Sequence, residues 1–249
     1  MPRAARKKSE SGVYHIVLRG VNRQTVFYDG EDREVFLNRL KIVQKKHGFI
    51  IYAFCLMNNH VHLIIKEKES GIGKIMQKSL TSYIYWYNSK YERAGNLFQD
   101  RYKSEPISDD SYLLSAVRYV HQNPVKAKTV TTVGEYKWSS YGAYLNDKES
   151  LVETKLVLDI LQGREAYKQF MQEKEELAFI EPSERIRITD DKLAKAIIRK
   201  LSIESLQELF QFNREKLYEA LKRILEIKGA NHFQVSRVTG IPMGVVRNV

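Results

Sequence analysis

Two apolar runs, Phe49 to Leu56 and His60 to Lys66, are separated by little more than Asn58-Asn59, and this pair narrows the possible folds more than any other segment. Both runs have strand length, and the asparagines supply turn chemistry, so they predict one antiparallel hairpin. A lone hairpin is marginal in water, so its apolar faces need cover from the rest of the chain.

The flanking segments provide that cover. Val13 to Arg19 reads as an earlier strand. Helical spacing of Val35, Phe36, Leu40 and Val43 after Asp32, ended at Gly48, predicts a first helix. A second follows from the stripe Ile72, Ile75, Met76, Leu80, Tyr83, Ile84 and Tyr87, with Gly71-Ile72-Gly73-Lys74 as its start; that glycine pair lacks the spacing of a phosphate-binding loop. Leu97 to Ile107 reads as a fourth extended segment, and Ser111 to about Gln122 as a third helix. The order β-α-β-β-α-β-α predicts an α+β, ferredoxin-like (split βαβ) antiparallel sheet with helices on one face and the other face open to a ligand. That architecture hosts unrelated activities, so function must come from particular side chains.

Charge divides the 249 residues into three parts: 24 Lys+Arg against 14 Asp+Glu in 1–148, 4 against 9 in 149–184, and 13 against 7 in 185–249. We read these as an N-terminal domain, an acidic helical connector and a C-terminal all-α domain. A polyanionic partner accounts for the two basic parts, because Lys and Arg neutralise phosphates and release counterions; an ordinary basic surface is the other account. No apolar run is long enough to span a bilayer, and the basic start from Met1 to Lys8 is not followed by an apolar signal core, so a cytoplasmic protein without a membrane partner is expected. The single cysteine, Cys55, fits a reducing compartment and reads as a small buried residue.

His60-Val61-His62 is the first group with chemical potential. Alternation on a strand sends both imidazoles to one face and Val61 to the other, so two nitrogens can converge on a metal. Two exposed or structurally satisfied histidines are the competing account. In the third helix Tyr119 and Asn123 stand four apart on one face, so the amide can act as a further ligand with the phenol beside it. Asn123-Pro124 can equally just end that helix. Two histidines and an amide leave coordination positions open, which suits catalysis, and a hard ion, Mg²⁺ or Mn²⁺, suits phosphate substrates. Tyr112, seven residues before Tyr119, is a rival nucleophile or a packing residue. His121 points away from Tyr119 and reads as structural, while His15 is open between site and core. The cluster Tyr83, Tyr85, Trp86, Tyr87 and Tyr91 suits either core packing or stacking on bases.

Beyond 185, Asp190 and Asn213 are candidate caps for helices carrying Leu193, Ile197, Leu201 and Leu217, Leu221, Leu225. His232 to Val246 resembles a helix-turn-helix: Val235 and Val246 would face inward, Ser236 is small at the helix approach, and Gly240 allows the turn. Arg247 is its candidate DNA contact. The recognition helix is short before Val249, which fits either a truncated copy or a packing module.

Leu56-Met57-Asn58-Asn59-His60-Val61-His62-Leu63, Tyr119-Val120-His121-Gln122-Asn123-Pro124-Val125-Lys126-Ala127 and Trp138-Ser139-Ser140-Tyr141 together resemble the single-tyrosine HUH transposases, and within them the REP-associated tyrosine transposases, relatives of the insertion sequence 200 family. Arg19-Gly20-Val21-Asn22-Arg23 and Phe98-Gln99-Asp100-Arg101-Tyr102-Lys103-Ser104 are similar to the same family. The resemblance covers roughly 1–145. Asn58 stands where many members have proline, and Asn123 where insertion-sequence relatives have glutamine.

This resemblance implies a metal-dependent nuclease and strand transferase that cleaves and rejoins single-stranded DNA through a 5′-phosphotyrosine. His60, His62 and Asn123 match its metal ligands and Tyr119 its nucleophile. Expected phosphate contacts are Arg3, Arg6, Lys7, Lys8, Arg19, Asn22, Arg23, Arg101 and Lys103. The expected partners are single-stranded or hairpin DNA and, through the C-terminal domain, duplex DNA, bound by a monomer or homodimer. The rival reading is a DNA-binding regulator with the same fold and no turnover.

Overall fold

The hairpin forms as expected: Ile50–Met57 (β2) and His60–Lys66 (β3) pair antiparallel across Asn58-Asn59, with Met57 opposite His60. In a computed structural model, which describes residues 6–146, 150–173, 177, 179–180, 189–227 and 229–248, Val13–Arg19 (β1) lies beside β3, and Lys103–Ile107 (β4) lies beside β1. The sheet order is β2-β3-β1-β4. Two compact units are present, Met1–Pro182 and Ser183–Val249.

Helix α1, Gly30–His47, begins at a capping box between Asp29 and Asp32 and ends at Gly48, whose φ of 66° is the left-handed conformation glycine tolerates best. It packs with α2, Ile72–Lys90, on one face of the sheet, around Ile16, Leu18, Leu56, Leu63 and Ile65. Tyr83 and Tyr87 are fully buried there and donate to the backbone carbonyls of Val26 and Thr25, so most of the aromatic cluster packs in the core; Tyr85, 81% exposed, does not.

The second face is not open, which corrects the expected placement of helices on one face. Helix α3, Asp110–Lys126, buries Leu113, Ala116, Val117 and Val120, a stripe at helical spacing, against Ala53, Cys55, Met57 and Ile64. It runs on past Pro124, which is buried in its last turn. The stretch expected as a connector joins this layer: Lys155–Ile160 (α4) and Arg164–Phe170 (α5) bury Val157 and Tyr167 in the same cluster.

The edge strand β2 is sealed by the segment after α3. Trp138 O accepts from Leu56 N at 2.9 Å, Ser140 Oγ accepts from Phe54 N at 2.9 Å, and Tyr136 and Tyr144 donate to Leu56 O and Tyr52 O at 2.7 Å each. His121 joins this seal as the sequence suggested: its ring lies between Ser140 Oγ (2.7 Å) and Tyr167 OH (2.8 Å), and burial drops its pKa to about 3. Cys55 is buried beneath it, and burial pushes its thiol up and out of reaction.

The second unit is helical: Asp190–Leu201 (α6), Arg214–Leu225 (α7), His232–Thr239 (α8) and Met243–Arg247 (α9). Thr189, not Asp190, caps α6, its hydroxyl accepting from Lys192 N; Asn213 caps α7 as expected. Val235 and Val246 are buried, and Gly240 turns between α8 and α9 with φ 75°. Among the described residues no helix is long and apolar enough to cross a membrane.

Candidate active site

Alternation on three strands sets up one polar patch within the α3 face. His60 and His62 on β3 share it, and the register places Arg19 opposite His60, and Val17 opposite both His62 and Lys103. His15, two residues before Val17, therefore also faces α3. Helix α3 crosses this end of the sheet and brings Tyr119 and Asn123, one turn apart, down onto the imidazoles.

The three expected ligand side chains meet. His60 Nε2 is 3.1 Å from Asn123 Oδ1, and Asn123 Nδ2 is 3.2 Å from His62 Nε2. The remaining nitrogen of each imidazole is engaged elsewhere: His60 Nδ1 with Asn59 Oδ1 at 2.7 Å, and His62 Nδ1 with His15 Nε2 at 3.0 Å. His62 is fully buried, and desolvation first, then unfavourable electrostatic coupling to His15, His60 and Lys126, holds its pKa well below the usual imidazole value. It is neutral at pH 7, the state a metal requires.

These contacts bear on whether a cation fits. When His60 donates Nδ1–H to Asn59, its Nε2 presents a lone pair to the Asn123 oxygen. Two acceptors at that distance repel unless a cation or a second proton lies there. Two imidazole nitrogens and an amide oxygen are a suitable donor set for a divalent ion with open positions. Among the described residues no group of three or more His, Cys, Asp or Glu gathers as a metal cluster, so the set reaches three donors only through the amide.

Tyr119 packs edge-on to His62, ring centroids 5.5 Å apart, and Lys126 Nζ lies 4.5 Å from the centre of its ring. Phe179 lies against the phenol ring at 4.8 Å and leaves Tyr119 only 3% exposed. Tyr112 is held differently. Its hydroxyl bonds Glu105, and burial first, then that carboxylate, push its pKa up to about 12.

Of the expected DNA contacts, Arg19 and Lys103 share the sheet face of the histidines. Asn22 and Arg23 form an exposed turn after β1 with φ of 53° and 62°, and Arg101, Lys7 and Lys8 are exposed. Arg6 instead stacks on Tyr102, 3.8 Å from its ring centre, and Arg247 sits 5.4 Å from the Phe233 ring in the second unit. Arg3 lies outside the described residues. Sequence reading left His15 open, gave Asn59 only a turn role and Lys126 only a place in the family motif, and passed over Glu105 and Phe179. Lys126, seven after Tyr119, had a helical-face signal; Glu105 and Phe179 had none.

Residues 8–123 match the model of the family described as Transposase IS200 like. Among solved structures, the fold resembles a REP-associated tyrosine transposase bound to a REP hairpin, with a TM-score of 0.51 and 16% identity over 62% of this chain and 92% of that one. A Deinococcus radiodurans R1 protein assigned as a transposase matches with a TM-score of 0.35 and 18% identity over 45% of this chain and 91% of its own. No curated protein matches the sequence.

Proposed function

Residues 8–123 of this chain belong to the IS200-like transposase family, and on that footing we propose that the protein is a metal-dependent DNA transposase that cleaves and rejoins single-stranded DNA through a 5′-phosphotyrosine. The observation that carries this reading is the meeting of His60, His62 and Asn123 beside Tyr119.

Tyr119 is the nucleophile. A free phenol has a pKa of about 10, so roughly one in a thousand is ionised at neutral pH. Lys126 stands over the ring, and the phenol gives up its proton to solvent before it attacks. The phenolate oxygen bonds to phosphorus as the bond to the 3′ oxygen breaks, and the departing oxygen takes a proton from solvent to become a 3′-hydroxyl. A second 3′-hydroxyl attacking the phosphotyrosine reverses the exchange and releases the phenol, so rejoining consumes no nucleotide. Mg²⁺ or Mn²⁺ held by His60, His62 and Asn123 would supply neutralisation of the charge that develops on the scissile phosphate. Arg19 and Lys103 are phosphate contacts nearest this centre by strand register, with Asn22, Arg23, Arg101, Lys7 and Lys8 further out; such contacts set affinity and salt dependence, not sequence choice.

Likeness to a hairpin-bound transposase supports a hairpin or repeat element in single-stranded DNA as the substrate. The turn at Gly240 between α8 and α9 suits a helix-turn-helix, with Arg247 as the contact to duplex DNA. The test is incubation with hairpin-bearing single-stranded oligonucleotides and Mg²⁺ or Mn²⁺. A covalent protein–DNA adduct that Tyr119→Phe abolishes supports the proposal. Tight binding with no adduct overturns it in favour of a regulator.

A further inference from the structure

Behind His62, on the side away from Asn123, a chain of polar groups runs across the α3 face of the sheet. His62 Nδ1 is 3.0 Å from His15 Nε2, the two rings stacked with centroids 5.3 Å apart, and His15 Nδ1 is 3.5 Å from Glu105 Oε2. His15 and Glu105 are directly opposed across β1 and β4. Both histidines are fully buried, while the Glu105 side chain is 21% exposed. The Ile180 N–H donates to the same carboxylate oxygen at 3.2 Å, and the Tyr112 hydroxyl also bonds this carboxylate.

The direction of this chain is fixed by its end. An ionised carboxylate attracts positive charge, so the Glu105 oxygen, 3.5 Å from His15 Nδ1 and outside hydrogen-bond geometry, favours the His15 tautomer with its proton on Nδ1 and a lone pair on Nε2. That lone pair accepts Nδ1–H of His62, which leaves the His62 lone pair on Nε2, the atom aimed at Asn123. A neutral imidazole has two tautomers, and only one can ligate through Nε2. Burial alone would raise the Glu105 pKa; the nearby His15 ring, the Ile180 N–H and the Tyr112 hydroxyl outweigh it and hold the carboxyl below its usual value.

We propose that Glu105 and His15 are positioning residues that hold His62 in its Nδ1–H tautomer, with the Nε2 lone pair presented to the metal. This rests on the metal-dependent reading above and assigns a task to two side chains that would touch neither substrate nor ion. Outer partners of this kind typically contribute 10- to 100-fold in metal affinity.

The experiment uses the full chain with Mn²⁺ alone, free ion being counted by electron paramagnetic resonance, beside nitrogen–proton correlation spectra of the imidazoles. His15→Phe, which keeps a flat ring and loses the acceptor, should weaken Mn²⁺ binding by about 10- to 100-fold. Glu105→Leu should weaken it less and turn the His62 spectrum from a single Nδ1–H tautomer into a mixture. His15→Gln, whose amide oxygen can still accept from His62, should bind within a few-fold of the parent. Wild-type Mn²⁺ affinity and an unchanged tautomer in both Glu105→Leu and His15→Phe would overturn the proposal, as would an Nε2–H tautomer in the parent. If His15→Phe does not fold, Glu105→Leu decides, since that side chain lies on the edge strand β4. Should the parent bind no Mn²⁺, the metal-dependent reading falls, while the tautomer spectra still decide the positioning chain.

Discussion

The two faces of the sheet are written by alternate residues of the same strands, yet they are built differently. Against α1 and α2 lie Ile16, Leu18, Leu56, Leu63 and Ile65, all apolar and at most 1% exposed. Against α3 lie His15 and His62 beside Ala53, Cys55 and Ile64, and Asn123 of the helix reaches down to them, the two imidazoles and the amide each answered by another side chain. Apolar burial is non-directional and tolerates repacking, whereas a buried polar group costs stability unless its partner has the right geometry. The first face holds the domain together and the second holds a geometry.

Substitutions on each face should therefore separate stability from chemistry. Phe36→Ala, on the α1 face and 1% exposed, should cost about 3–5 kcal/mol, a large part of the roughly 5–15 kcal/mol a domain has. Chemical denaturation measures this, and the surviving folded fraction should still form the covalent adduct. Tyr119→Phe is the converse, losing the adduct altogether while moving stability by about 1 kcal/mol or less. The distinction between the faces breaks if Tyr119→Phe unfolds the domain as Phe36→Ala does.

Phe179 sharpens the comparison, because it is an apolar side chain placed on the polar face. It packs on the Tyr119 ring, so in the mechanism proposed above it is a cover that an incoming phosphate would displace. Burial of a phenylalanine contributes about 1.5–3 kcal/mol, so Phe179→Ala should speed adduct formation by roughly 10- to 100-fold at most. A rate equal to the parent's, in protein shown to be folded, means the cover opens faster than the chemistry.

Ser140→Ala probes the seal on β2, where the polar face is purely structural. It removes the acceptor for Phe54 N and the partner of His121 Nε2, and should cost about 1–3 kcal/mol in denaturant midpoint without changing adduct yield below the transition. This network also shows what the sequence made legible. The hairpin, the His60/His62 alternation and the Tyr119/Asn123 spacing follow from periods of two and about four residues, which are local. The Trp138-Ser139-Ser140-Tyr141 motif was visible as a pattern, but its task of closing a strand edge 86 residues away is not local, nor is the reach of Glu105 to His15. Pro124 misleads for a related reason. Proline disfavours helix at the preceding residue, yet α3 continues two residues beyond Pro124, with Asn123 and Pro124 both buried, so packing outweighs propensity there.

Tyr85 carries the smallest expected effect and the most direct challenge to the division of labour. It is 81% exposed on α2, beside Trp86, Arg39 and Arg93, and is the most exposed ring of the aromatic cluster. If the α1/α2 face only stabilises, Tyr85→Ala should shift stability by no more than about 0.5 kcal/mol and leave single-stranded DNA affinity unchanged at fixed salt. Stacking of a base on an aromatic ring contributes about 1–3 kcal/mol, so a loss of affinity of roughly 5-fold or more would assign this face a DNA contact of its own. The measurement distinguishes the two because the same ring cannot be both energetically idle and a stacking platform.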